Sequence, residues 1–290
     1  MKGIILAGGN ATRLQPATAV VSKQLLPVYD KPMIYYPVTT LIQASVTEIL
    51  VIVKADDLEL FRRLLQPLER LGLFFKFAIQ RQPRGIAEAV LIADYHGFVG
   101  KQDTFYLILG DNIFASDFYH WGGNPYPATV YLASVADPSS YGVAEFDNQL
   151  GVITNIVEKP TVCPSRYAVT GLYVYDYSAV AKTRQLTPSA RGELEITDLN
   201  LAYLREDRLA GAMLPEDAAW LDAGTARSLL QAAAYVEAKQ ERTGIPVGSP
   251  EVAAFMSGIA SRHDALKGLP DSAYGSAVRR YFELGMPSER

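Results

Sequence analysis

The chain has 290 residues, 49% hydrophobic and 20% charged, enough apolar content for one large α/β core or two closely packed lobes. A formal net charge of −4 with scattered basic residues excludes a polyanion-binding surface, so no nucleic-acid partner is expected. A lone cysteine (Cys163) excludes an internal disulfide, His96, His120 and His263 lack zinc spacing, and the N-terminal apolar run is too short to span a bilayer, so a cytoplasmic protein with no membrane partner is expected.

Gly3-Ile4-Ile5-Leu6-Ala7 predicts a first strand that breaks at Gly8-Gly9. A helix from Pro32 to Ser45, a strand over Ile49 to Val53, helices over Asp57 to Leu71 and Ile86 to Tyr95, and a strand over Phe105 to Leu109 follow. Strands apolar on both faces, alternating with helices, imply βαβ units in a doubly wound, mostly parallel mixed sheet with ligands at the carboxyl ends of its strands. After Pro125 the spacing tightens to strands at Thr129 to Ala133, Val143 to Phe146, Val152 to Ile156 and Val169 to Tyr175, with little helix between them. From Thr225 the pattern turns helical to the end. The expected organisation is one compact unit with halves at 1–125 and 126–224 and a helical region at 225–290.

The segment Leu6-Ala7-Gly8-Gly9-Asn10-Ala11-Thr12-Arg13-Leu14 sets two glycines directly after a buried strand and a cation just beyond them. Such a turn can aim backbone N–H groups at a phosphate. By itself it is equally an ordinary strand-to-helix turn.

The same segment, with Ser22-Lys23-Gln24-Leu25-Leu26-Pro27, Leu109-Gly110-Asp111-Asn112, Glu158-Lys159-Pro160, Ala168-Val169-Thr170-Gly171-Leu172-Tyr173, Arg191-Gly192-Glu193-Leu194-Glu195-Ile196-Thr197-Asp198 and Trp220-Leu221-Asp222-Ala223-Gly224-Thr225, resembles the glucose-1-phosphate thymidylyltransferases over nearly the whole chain. The resemblance implies a Rossmann-like nucleotidyltransferase fold whose first half binds nucleotide and whose second half binds sugar. It implies Mg²⁺-dependent in-line transfer of a thymidylyl group from dTTP to glucose 1-phosphate, giving dTDP-glucose and pyrophosphate, in a homotetramer. Transfer of this kind needs charge neutralisation on a polyphosphate and placement of the attacking oxygen more than covalent help.

On that basis the nucleotide site comprises Leu6, Gly8, Gly9, Asn10, Ala11, Thr12, Arg13, Gln80, Pro83, Gly85 and Asp111. Catalytic roles fall to Arg13, Lys23 and Lys159. Sugar contacts fall to Tyr141, Gly142, Glu158, Lys159, Thr170, Gly171 and Tyr173. Asp111 and Asp222 each end an apolar stretch and suit Mg²⁺, which prefers oxygen ligands, although only the resemblance implies that they meet. Cys163, His96, His120, Trp121 and the pair Tyr35-Tyr36 read as loop, surface or packing residues.

Several positions depart from the family pattern. Ala11 stands where glycine is usual, and an alanine at positive φ costs on the order of 1 kcal/mol, so the loop either avoids that region or is compromised. Arg84 stands where an acidic residue is usual and Glu88 where glutamine is usual. The basic residue common near Met256, associated with a regulatory nucleotide site, is absent. A UTP-dependent uridylyltransferase and a non-catalytic nucleotide-sugar binding protein are the alternative readings.

Overall fold

A computed structural model describes residues 1–115, 126–147, 152–215 and 218–284. His120 and Trp121 lie outside these residues. In chain order the first part contains β1 (Lys2–Ala7), the hairpin strands β2 (Pro27–Val28) and β3 (Lys31–Pro32), α1 (Tyr35–Gln43), β4 (Glu48–Val53), α2 (Leu58–Leu65) and β5 (Phe74–Ile79). Then come α3 (Glu88–Tyr95), β6 (Thr104–Leu109), β7 (Asn112–Ala115), β8 (Ala128–Ser134), β9 (Gly142–Asp147), β10 (Val152–Glu158) and β11 (Tyr167–Asp176). The chain continues through α4 (Ser178–Arg184), α5 (Ile196–Leu204), β12 (Leu209–Met213), β13 (Ala219–Asp222), α6 (Ala226–Thr243), α7 (Pro250–Met256), α8 (Arg262–Leu266) and α9 (Ala273–Glu283).

One nine-stranded sheet runs through both halves. Its first part is parallel: β1 pairs with β4 and β6, and β4 pairs with β5. β11 then joins antiparallel to β6 and also borders β8 and β9, so the two halves share one continuous sheet. Both faces are covered, as strands buried on both sides require. One core packs Ile5, Val51 and Ile108 against α1, α2, α7 and α9, while the other packs Ile4, Leu50 and Leu107 against α3, α4 and α5. A third, smaller cluster joins the β2–β3 hairpin, the β7–β13 ribbon and α6.

The long first helix is shorter than its apolar pattern suggests, because Lys31 and Pro32 pair in the hairpin and α1 begins only at Tyr35. The second stops at Leu65 and continues as a 3-10 turn over Gln66–Leu71, where Pro67 offers no amide hydrogen. The stretch after Pro125 also holds more helix than expected, since α4 and α5 close the face over β11. β5 has no counterpart among the predicted elements. It pairs only with β4 among the described residues, and its alternating exposure marks a sheet edge.

Candidate active site

The loop after β1 sits at the carboxyl end of the parallel sheet, as ligand loops do in this architecture. Leu6 stands next to the last residue of β1, and its carbonyl accepts Gly110 N at 3.0 Å, which draws the end of β6 against the loop. Gly8 touches the amide of Gln80: a Cβ here would stand 2.4 Å from Gln80 Oε1. Gly9 faces open space. Asn10 and Thr12 are exposed. Ala11 takes the left-handed conformation, φ 49° and ψ 38°, so the loop does not avoid positive φ. Its carbonyl is held by Leu14 N at 3.1 Å and Thr18 Oγ1 at 2.8 Å, which fixes the turn into the short 3-10 helix Thr12–Leu14 that carries Arg13.

Asp111 follows β6, and the β7–β13 ribbon brings Asp222 to it. In that antiparallel register Asp222 stands opposite Asn112, and Ala223 N donates to the Asp111 carbonyl at 3.1 Å. Lys23 forms an ion pair with Asp111 Oδ2. Burial alone would raise the Asp111 pKa, but the Lys23 ammonium outweighs it and holds the carboxyl below its usual range. Asp222 moves the other way: burial and then the Asp111 charge push it up, opposed by Lys23 and Arg13. The Arg13 guanidinium reaches the same place, since a Cβ on Gly224 would lie 3.1 Å from both Arg13 Nη2 and Asp222 Oδ1. Two carboxylates and two cations therefore meet beside the glycine loop.

Among the described residues no group of three or more His, Cys, Asp and Glu side chains is arranged for a metal. An all-protein cage is thus not what the site offers. Two partly buried carboxylates, one of them with its pKa raised by burial and by the charge of the other, do fit a hard divalent cation that takes its remaining ligands from water or phosphate.

Asn112 ties this cluster to the second half of the molecule. Its Oδ1 accepts Trp220 Nε1 at 2.6 Å and Gly171 N at 2.9 Å, and its Nδ2 donates to Asp111 Oδ1 at 3.3 Å. Gly171 has no space for a Cβ, which would fall 2.5 Å from Asn112 Oδ1. Trp220 packs edge-on against Tyr141 at 4.8 Å, and Tyr141 Oη reaches Asp222 Oδ2 at 3.5 Å. Burial and the Asp222 charge push the Tyr141 phenol up to about 12, so it remains a donor at neutral pH.

On the far side, Glu158 ends β10 opposite Gly142. Its Oε2 accepts Thr197 Oγ1 at 2.6 Å, and its Oε1 lies 3.5 Å from Lys159 Nζ and 3.9 Å from Arg191 Nη2. Lys159, at φ 43°, donates its backbone N–H to the Tyr141 carbonyl at 2.9 Å and keeps its side chain 46% exposed. Tyr173 is buried, and burial followed by the Glu158 charge raises its phenol. Thr170 is fully enclosed with its hydroxyl donating to the Tyr131 carbonyl at 2.9 Å, so its side chain serves the sheet and leaves only backbone toward a ligand.

The third side is built by the segment after β5. Gln80 N donates to the Val53 carbonyl at 2.8 Å, and Gln80 Nε2 donates to Glu88 Oε2 at 2.8 Å. Pro83 is exposed. Gly85, at φ 101°, lies so close to the Leu194 backbone that a Cβ would be 2.3 Å from Leu194 O. Asn112, Arg191, Thr197, Trp220 and Glu88 thus belong to the site without having been assigned a role from sequence. For the first four the signal was present only as membership of the quoted motifs, because most of their partners are distant in the chain, and for Glu88 it was present only as a departure from the family pattern.

The nucleotidyl transferase family profile matches residues 2–239. A glucose-1-phosphate thymidylyltransferase of Mycolicibacterium smegmatis is 46% identical over 267 residues, covering 89% of this chain and 90% of that protein. One from Neisseria gonorrhoeae is 44% identical, covering 95% and 97%. A Bacillus anthracis crystal structure, described as a candidate glucose-1-phosphate thymidylyltransferase in complex with sucrose, superposes with a TM-score of 0.74 at 42% identity over 81% of this chain and 94% of that one.

Proposed function

Because the chain belongs to the glucose-1-phosphate thymidylyltransferases of the nucleotidyl transferase family, we propose that it transfers the thymidylyl group of dTTP to glucose 1-phosphate. A phosphate oxygen of the sugar attacks the α-phosphorus, the bond from that phosphorus to the β-phosphate's bridging oxygen breaks, and pyrophosphate leaves as dTDP-glucose forms. The observation that carries this reading is the meeting of Asp111, Asp222, Lys23 and Arg13 at the mouth of the glycine loop.

The backbone from Gly8 to Thr12 cradles the triphosphate, and Arg13 neutralises the charge that builds as pyrophosphate departs. Lys159, with Arg191 beside it, holds the phosphate of the sugar, and Glu158, oriented by Thr197, accepts from sugar hydroxyls. Tyr141 and the backbone at Gly142, Thr170 and Gly171 border the sugar. Tyr173 underlies Glu158. Asp111 and Asp222 would hold Mg²⁺, which neutralises phosphate charge when bound. Gln80, Pro83 and Gly85 form the base side.

The reaction belongs in the cytoplasm. The described residues contain no helix long and apolar enough to cross a membrane. We further propose a homotetramer, which light scattering of the purified protein would test.

Pyrophosphate release should be measured with glucose 1-phosphate and each of dTTP, UTP, ATP, CTP and GTP. Release fastest with dTTP is expected. UTP is the nearest competitor, because one methyl group is worth only about 1–3 kcal/mol of discrimination. Release fastest with UTP would reassign the enzyme as a uridylyltransferase, and no release with any nucleotide would leave a binding protein.

A further inference from the structure

The segment that carries Lys23 crosses the carboxyl end of β1 and is held on both flanks. β1 lies between β4 and β6 in the sheet. On the β6 flank Lys23 pairs with Asp111, and Gln24 packs against Gly110, where a Cβ would stand 2.8 Å from Gln24 Cγ. On the β4 flank the tie is Asp57, in the 3-10 turn Ala55–Asp57 that leads from β4 into α2. Its Oδ1 accepts Ser22 N at 3.2 Å, one residue before Lys23, and its Oδ2 lies 3.9 Å from Lys54 Nζ. Asp57 is 5% exposed and Ser22 1%, so the Ser22 N–H has no solvent to turn to. Ser22 Oγ donates in turn to Gln24 Oε1 at 2.5 Å, and the Gln24 carbonyl accepts Ile34 N at 2.9 Å.

We propose that Asp57 is a positioning residue for the reaction: it anchors the backbone ahead of Lys23, so that the ammonium stays at the triphosphate when its pairing with Asp111 gives way. The two flanks meet different demands. A triphosphate entering beside the glycine loop competes with Asp111 for the three donors of the Lys23 ammonium. The β6 tie therefore loosens as substrate binds, whereas Asp57, enclosed on the other flank, keeps its hold on Ser22. Without that hold the segment would follow the lysine instead of directing it, and a displacement of about 1 Å can cost about a hundredfold in rate. What Asp57 supplies is an acceptor, since a backbone N–H needs only an oxygen at that place. The proposal rests on the nucleotidyl-transfer reading, because it assigns Lys23 to the triphosphate.

Calorimetric titration with dTTP, and pyrophosphate release from dTTP and glucose 1-phosphate, test it on the wild type, Asp57→Ala, Asp57→Asn, Lys23→Ala and the double variant Asp57→Ala/Lys23→Ala. Asp57→Ala should weaken dTTP binding and lower kcat by about tenfold or more each. Asp57→Asn keeps an Oδ1 acceptor and should stay within about threefold of the wild type. With Lys23 already truncated, Asp57→Ala should change neither value by more than about threefold, because its effect runs through that side chain. Losses that multiply in the double variant would overturn the proposal, as would Asp57→Asn failing like Asp57→Ala. A role in stability alone would lower the melting temperature and leave affinity and kcat unchanged, which would overturn it too. Should Asp57→Ala not fold, Ser22→Ala and Ser22→Pro decide the matter. Ser22 holds φ −61°, a value proline shares, so both variants lose the hydroxyl and only proline also loses the N–H that Asp57 accepts. Proline should be about tenfold worse than alanine in kcat, and equal values would end the assignment. An Asp57 effect on dTTP affinity without pyrophosphate release by the wild type would sink the proposed reaction and spare the Asp57 assignment, whereas turnover that Asp57→Ala leaves intact would do the reverse.

Discussion

The two sides of the site are built from different materials. The proposed nucleotide side, from Gly8 to Arg13, relies on backbone: one glycine faces open space, another abuts Gln80, and Ala11 holds a left-handed turn. The proposed sugar side relies on side chains already paired with one another, with Glu158 bound to Thr197 and bordered by Lys159 and Arg191. A backbone cradle is sensitive to a Cβ added where the loop is packed, as at Gly8, and its shape does not depend on any one charge. A side-chain site tolerates crowding but loses a specific contact with each truncation. Asp111, Asn112 and Asp222 join the two, and the largest effects should fall there.

Replacing Asp111 or Asp222 by Asn should each lower kcat by at least about a hundredfold, with the double variant little worse than either single one, because both serve one cation. Mg²⁺ titrations of activity would check this. Full Mg²⁺-dependent turnover in either single variant would separate the two carboxylates.

Next in size is Asn112→Ala. Two donors, the buried Gly171 N and the partly buried Trp220 Nε1, lose their acceptor, at about 1–3 kcal/mol each with the smaller cost at Trp220. Denaturant unfolding should register that loss, and both the kcat and the KM for glucose 1-phosphate should worsen because β11 and β13 are no longer tied. A variant with normal stability would mean that water replaces the amide.

Truncations on the two sides should then fail differently. Lys159→Ala should raise the KM for glucose 1-phosphate about tenfold or more with a smaller change in kcat, whereas Arg13→Ala should act mainly on kcat. Steady-state kinetics with both substrates varied would show the split. Exchanged phenotypes would reverse the assignment of the two cations.

How much of this could be read from the chain follows the same division. Strands β1, β4 and β6 were legible because they are apolar on both faces, and β5 was not, because Phe74-Phe75-Lys76-Phe77 at the sheet edge carries no such run. Helix α5 was overlooked for a related reason. Ile196-Thr197-Asp198 looks like a continuation of a loop until it packs on β10 and β12. The glycine loop and Arg13 are contiguous and were found directly. The meeting of Asp111 with Asp222 depends on the β7–β13 register, which no local pattern encodes. The hydrogen bond from Gln80 to Glu88 was missed for another reason: Arg84 and Glu88 stand only four residues apart, but each looked like an isolated departure, and the fold joins them as one ion pair.

The smallest effect should come from Ala11→Gly, although Ala11 is the least usual residue of the loop. Alanine in the left-handed region carries strain on the order of 1 kcal/mol that glycine would relieve. Glycine also adds freedom to the unfolded chain, costing about 0.4–1 kcal/mol, so the two contributions nearly cancel. The melting temperature should therefore shift by less than about 2 °C. Activity should change little as well, because Ala11 already holds the left-handed turn that the loop requires, anchored by Leu14 N and Thr18 Oγ1 on its carbonyl. Calorimetric titration with dTTP and a thermal melt on both proteins would test this. A gain of about tenfold or more in dTTP affinity would mean that the Ala11 methyl crowds a phosphate, and the backbone side of the site would then be limited by one carbon atom.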